Sequence, residues 1–187
     1  FGAAADGTTN DTLAVRAAAA ACQSCTLLFT NGSFLTGPFR LEPGSDMVVD
    51  GSIIAAPMAW WVPAGWGGTG EFIGASGATS GLTLRGSGTI DGNGADWWAG
   101  QKPVRNDSKW RPHLLRITRS QDVCISGVRL LNSPNHNLLL GDCAHVRVTG
   151  LRVEAPHDSP NTDGINIAGG RDQLVADSHI SNGDDCV

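Results

Sequence analysis

The chain has 187 residues, 41% of them hydrophobic, with 25 glycines and a formal net charge of −5, which suits one core in a single domain over residues 1–187. An acidic chain without a basic stripe is a poor match for a polyphosphate surface, so nucleic acid is excluded as a partner. No apolar run approaches the length of a membrane span, and no membrane partner is expected.

The first predicted element lies in AAADGTTNDTLAVRAAAAAC. Asn10 or Asp11 is a polar cap candidate, and the alanine-rich run behind it, with Leu13, Ala17 and Ala21 on one stripe, predicts a short helix. That helix is expected to cover the N-terminal end of the sheet layers that follow, which would otherwise expose an apolar cross-section and unpaired strand edges. Next, Cys22 and Cys25 can close a small loop. TLLFTNGSFLTGPF, DMVVDGSIIAAP and GLTLRGSGTIDGNG then each predict short apolar strands broken by Gly, Pro, Asn or Asp. All six tryptophans fall between residues 60 and 110. Trp60, Trp61, Trp97 and Trp98 are read as covering a flank of the core, with stacking on sugar faces as the competing use. Arg111-Pro112 is read as fixing the start of a strand.

From residue 123 the chain repeats itself. Val123, Ile125, Val128 and Leu130 recur as Val146, Val148, Leu151 and Val153, an offset of 23 at every position. A third copy follows at an offset of 27, with Val175 and Ile180 answering Val148 and Val153. Each copy holds two short alternating runs separated by a bend, which is strand patterning of period 2. Short strands at a fixed period near 25 residues, without intervening helices, predict an all-β parallel solenoid whose coils connect right-handedly. The leucine and asparagine ladder of leucine-rich repeats is missing. A sandwich or barrel would show hairpin spacing of about 8 to 12 residues instead.

Asn161-Thr162-Asp163-Gly164 is followed one repeat later by Gly183-Asp184-Asp185-Cys186, with 185 − 163 = 22. Residues one repeat apart in a stacked solenoid become neighbours, so Asp163, Asp184 and Asp185 are expected to converge. Carboxylates in a small volume repel one another, which separates their proton affinities and prepares one as an acid and another as a base. The competing reading makes them turn residues that cap backbone amides. His136 is read as a loop or packing histidine. Cys124 and Cys143 are candidates for adjacent coils, which leaves Cys186 without a partner. Val187 ends the chain in mid-coil, so the solenoid is expected to be open at its C-terminal end and the chain to be a part of a longer one.

FGAAADGTTNDT, FLTGPF, GSIIAAP, GSGTIDGNGADWW, RPHLL, NSPNHN, SPNTDGIN and NGDDCV, in this order, make the chain resemble the polygalacturonases of glycoside hydrolase family 28, especially their plant-like and exo-acting branches. The resemblance implies a right-handed parallel β-helix and hydrolysis of α-1,4-galacturonosidic linkages of polygalacturonate with inversion. On that pattern Asp184 is the general acid, Asp163 and Asp185 hold and activate the attacking water, and Asn161 helps shape the substrate site. Such a mechanism requires no metal or other cofactor. The implied partner is pectin or a related acidic polysaccharide, and the whole protein is expected to be a monomer.

The family continues past the acidic pair into a Gly-His-Gly segment and an Arg-Ile-Lys segment. Neither is present, so this chain by itself is expected to be inactive. Family aromatics are replaced here by Asn135-His136-Asn137. The alternative is a non-catalytic carbohydrate-binding β-helix. Sequons at Asn10, Asn31 and Asn106, together with only two lysines, Lys102 and Lys109, suit a secreted protein of the extracellular space or cell wall.

Overall fold

The structure is a computed structural model and describes residues 1–61, 64–66, 70–77, 80–99 and 111–187. The sequon at Asn106, both lysines and Trp110 lie outside the described residues.

Short strands stack in parallel on three faces. The first face carries β1 (Asp6–Asn10), β3 (Ser33–Thr36), β6 (Ser52–Ala55), β9 (Thr89–Asp91), β12 (Arg129–Leu131), β14 (Arg152–Glu154) and β16 (His179–Ser181), in that order. The second carries β2 (Thr26–Phe29), β5 (Asp46–Val49), β8 (Thr83–Arg85) and β11 (Gln121–Ser126). The third carries β4 (Phe39–Arg40), β7 (Glu71–Ser76) and β10 (His113–Thr118). Two longer strands, β13 (Leu138–Thr149) and β15 (Ile165–Ala176), turn the corner and join the third face to the second. Asp142 (φ 51°) and Gly169 (φ 82°) occupy the left-handed region at that corner. The result is a right-handed parallel β-helix.

The offsets in the sequence are the registers of the sheets. Val123 pairs with Val146 and Ile125 with Val148, the 23-residue step, and Val148 pairs with Val175 and Val153 with Ile180, the 27-residue step. Each face buries one aliphatic ladder. Ile53, Ile90, Leu130 and Val153 follow one another on the first face, each 0% exposed. Met47, Leu84, Ile125 and Val148 do so on the second, and Ile73, Leu115, Leu138 and Ile165 on the third. Burial of each such side chain stabilises the fold by about 1.5–3 kcal/mol.

Helix α1 (Thr12–Ala21) forms where predicted, but its face is different. Thr12, Val15 and Ala19 are its buried residues, while Leu13 is 84% exposed and Ala17 and Ala21 face solvent. An alanine run carries no phase of its own. The helix instead turns to where Thr12 Oγ1 accepts the Gly37 N–H at 2.7 Å and Val15 meets the core. Capping is also divided differently. Asn10 Oδ1 accepts the Thr12 N–H at 3.0 Å, whereas the carboxylate of Asp11, the N-cap residue, turns back to the N–H groups of Ala4 and Ala5 at 2.7 and 3.0 Å.

Two further short helices, α2 (Met58–Trp61) and α3 (Ala95–Ala99), interrupt the coils and were not expected. They deliver Trp61 and Trp97 into the core, edge to face at 5.4 Å, so these two are flank-covering residues. Cys22 and Cys25 are joined, with 5.2 Å between their Cα atoms. Cys124 and Cys143 do sit on adjacent coils but are unbonded, because Cys124 stands opposite Arg147 and Cys143 opposite Gly170. That stagger of four positions puts them roughly 13 Å apart along the strands, beyond disulfide reach. The buried Cys143 thiol lies 3.4 Å from the Ile117 carbonyl, and burial pushes its pKa up.

Candidate active site

At the start of the third face one position recurs on four successive coils. The pairings Leu115 with Leu138 and Leu138 with Ile165 align His113, His136 and Asp163 in one column. Beyond it, the N–H groups of Gly164 and Ile165 donate to the carbonyls of Asp185 and Cys186 at 2.9 and 3.0 Å, which aligns Asp163 with Asp185. The 22-residue spacing is therefore a single coil step. Asp184 stands beside Asp185 and both are exposed, whereas the Asp163 side chain is 16% exposed.

Buried polar side chains hold the two acidic loops together. Thr162, fully buried, accepts the Gly183 N–H on its hydroxyl at 3.0 Å, and that hydroxyl also contacts Ser159 Oγ at 2.8 Å. Asn137 Nδ2 donates to the Thr162 and Asp163 carbonyls at 2.9 and 3.1 Å, and Asn182 Nδ2 donates to the Asp185 carbonyl at 3.0 Å. The loops approach so closely that a Cβ on Gly164 would lie 2.4 Å from the Cys186 carbonyl oxygen, and one on Gly183 2.1 Å from that of Ser159. Glycine at both positions is a requirement of space.

Asn161 lies at the edge of this cluster in the left-handed region (φ 52°), which asparagine tolerates better than most residues. Its Oδ1 accepts from Arg111 Nη2 at 2.6 Å. Arg111, 5% exposed, also donates through Nη1 to the Pro134 and Pro160 carbonyls at 3.0 and 2.7 Å. As expected, Arg111 stands at the entry to a strand, β10, and it also ties three coils together under the site. Burial pushes its pKa below the usual arginine range.

His136 lies in a loop and packs on His113, as expected, but it also has polar neighbours. Its Nε2 lies 3.8 Å from Asp163 Oδ1, and its Nδ1 is 2.6 Å from Asn166 Nδ2, which also donates to Asp163 Oδ2 at 3.1 Å. It stands against the central carboxylate. The clue was in the numbering, since 163 − 136 = 27, the step that relates Val148 to Val175. Asn137, Thr162, Asn166 and Arg111 were also missed as site residues.

The His113 ring packs on His136 at 4.8 Å between centroids. Burial above all, then His136 and Arg116, pushes the His113 pKa down to about 4, with Asp163 opposing. Above pH 6.5, the ordinary histidine value, this site is neutral in folded and unfolded chains alike. As pH falls from 6.5 towards 4, the unfolded chain takes up a proton that the folded chain refuses, so stability is lost across that window. The loss is on the order of 3 kcal/mol. Urea midpoints at pH 7 and 4.5 should therefore fall further for the wild type than for His113→Phe, and equal declines would refute this assignment.

Fold and site together define a parallel β-helix protein with Asp163 and Asp185 aligned on adjacent coils and Asp184 next to Asp185 in sequence. The family model for "Glycosyl hydrolases family 28" matches residues 29–187, and the chain belongs to that family. It is 37% identical over 164 residues to a polygalacturonase of Chamaecyparis obtusa and 39% identical over 163 residues to one of Cryptomeria japonica. Those matches cover 85% and 84% of this chain but 30% of each relative, so the chain spans about a third of their length. Among solved structures, the polygalacturonase of Erwinia carotovora superposes with a TM-score of 0.81 at 25% identity, over 96% of this chain and 54% of that one. An exopolygalacturonase of Thermotoga maritima shares the fold, with a TM-score of 0.81 at 21% identity over 98% of this chain and 51% of its own.

Proposed function

We propose that this segment supplies the acidic centre of a secreted hydrolase that cleaves α-1,4-galacturonosidic linkages of polygalacturonate with inversion. The observation that carries the reading is the one-coil stack of Asp163 on Asp185 with Asp184 beside it. Inversion needs one carboxyl to protonate the leaving oxygen and another, about 6.5–9.5 Å away, to activate water on the opposite side of the sugar. Coils about 4.7–4.9 Å apart, with side chains that diverge from adjacent positions, suit such a gap. Asp184, exposed, is the general acid, and Asp163 and Asp185 hold and activate the water. Asn161, held by Arg111, shapes the edge of the substrate site.

The names of the relatives support the substrate, and family membership supports the chemistry. Three carboxylates repel a polyanion, so turnover requires cationic partners for the substrate. Arg111 cannot fill that role while its guanidinium serves carbonyls and Asn161. We therefore expect this segment alone to be inactive and a protein of the relatives' length that carries it to be active. Reducing-sugar release from polygalacturonic acid, measured on both, tests the proposal. Release by neither, with retained polygalacturonate binding, would favour a carbohydrate-binding role.

A further inference from the structure

Beyond the three carboxylates, the site holds a pair of side chains that the proposed chemistry has not used. Asn166, at the start of β15, lies between His136 Nδ1 and Asp163 Oδ2, 2.6 Å from one and 3.1 Å from the other. We infer that Asn166 and His136 are positioning residues for Asp163, with the Asn166 amide donating to both and the imidazole proton held on Nε2, facing the carboxylate. The inference rests on the reading of Asp163 as part of the base.

The direction of each bond follows from the acceptors. An ionised carboxylate has no hydrogen to give, so the Asn166 atom that meets Asp163 must be its NH2 group. The same NH2 group meets His136 Nδ1, and its two hydrogens serve the two acceptors. Nδ1 must then carry a lone pair, and in the neutral ring the proton moves to Nε2. That nitrogen lies 3.8 Å from Asp163 Oδ1, too far for a direct bond and suited to a bridging water. Oδ2 is therefore fixed by Asn166, while Oδ1 stays open towards a donor that carries no charge.

The groups around His136 favour that neutral state. On β10, His113 packs against it at 4.8 Å with the ring planes tilted by 59°, and Arg111, just ahead of that strand, adds positive charge. Asp163 and Asp184, from the following loops, oppose them. Burial is the largest influence and acts against protonation. A protonated His136 would form an ion pair with Asp163 and weaken it as a base. A neutral one orients the carboxylate and leaves its charge for the attacking water.

The tautomer can be read without turnover. In a long-range 1H–15N spectrum of the 187-residue chain near pH 7, His136 should show a protonated Nε2 and an unprotonated Nδ1, with its signals assigned by their loss in His136→Gln. Asn166→Asp replaces the donor with an acceptor and should move the proton to Nδ1 or charge the ring. A wild-type ring protonated on Nδ1, or a ring state indifferent to Asn166→Asp, would overturn the inference. In a polygalacturonate-hydrolysing protein that carries this segment, His136→Phe and Asn166→Ala should each lower kcat about tenfold with KM unchanged. His136→Gln, which restores a donor near Nε2, should recover most of that loss. Equal losses in His136→Phe and His136→Gln would reduce the ring to a packing role. The spectrum does not depend on activity, so failure of the hydrolase reading and failure of this pairing are separately visible.

Discussion

Asp184→Asn, in a longer protein that carries this segment, lowers kcat on polygalacturonate by about 10³-fold, within the range that a positioned general acid supplies. The amide keeps the shape of the carboxyl but has no proton to release to the departing oxygen. KM should change little, because the lost interaction is made in the transition state. Folding should survive, since Asp184 is exposed and the hydrogen bond that its side chain makes is to the next N–H, that of Asp185, at 3.0 Å. Stability should remain within about 0.5 kcal/mol of the wild type. Rates of sugar release together with a denaturation curve decide the matter, and undiminished activity would remove Asp184 as the acid.

Arg111→Ala should destabilise the 187-residue chain by about 2–4 kcal/mol, because neutral acceptors on two further coils lose the charged donor that they share. The Pro134 and Pro160 carbonyls and Asn161 Oδ1 all lose the donor that joins them across coils. The buried Pro134 carbonyl left unpaired costs about 1–3 kcal/mol, and the part-buried Pro160 and Asn161 acceptors, which water can reach, cost less. Arg111→Lys should recover only part of this, because a single ammonium cannot reproduce the planar fork that reaches three oxygens. Urea unfolding measures both variants. A change below about 1 kcal/mol for Arg111→Ala would mean that the loops hold themselves in place.

The two variants act at different levels. Asp184 is needed at the reacting bond, and its loss should leave the coils intact. Arg111 lies beneath the loops, and its loss should weaken the cleft before any substrate arrives. Thr162 belongs with Arg111 in this respect, since its hydroxyl joins the loop of Asp163 to the residue before Asp184.

Much of the architecture was legible because a solenoid writes its register into its sequence. Residues that pair across coils sit a fixed number of positions apart, so the offsets of 23 and 27 predicted strand partners that the structure realises. The same arithmetic brought Asp163 and Asp185 together. It would have brought His136 to Asp163 as well, but a lone polar residue at a repeat position carries no hydrophobic signal to mark it. Cys124 and Cys143 show the opposite error, for a spacing near the repeat length was not a register, and the four-position stagger keeps them apart.

By itself the sequence determined the strand period, the parallel stacking, the family and the one-coil step from Asp163 to Asp185, because all of these follow from one-dimensional spacing and local residue chemistry. Only the tertiary structure decided which face of α1 is buried, that Trp61 and Trp97 meet in the core, that Arg111 ties three coils, and that Asn166 bridges His136 and Asp163. These depend on where loops of unequal length carry side chains between coils. Such distances are settled by packing in three dimensions, and no periodicity along the chain encodes them.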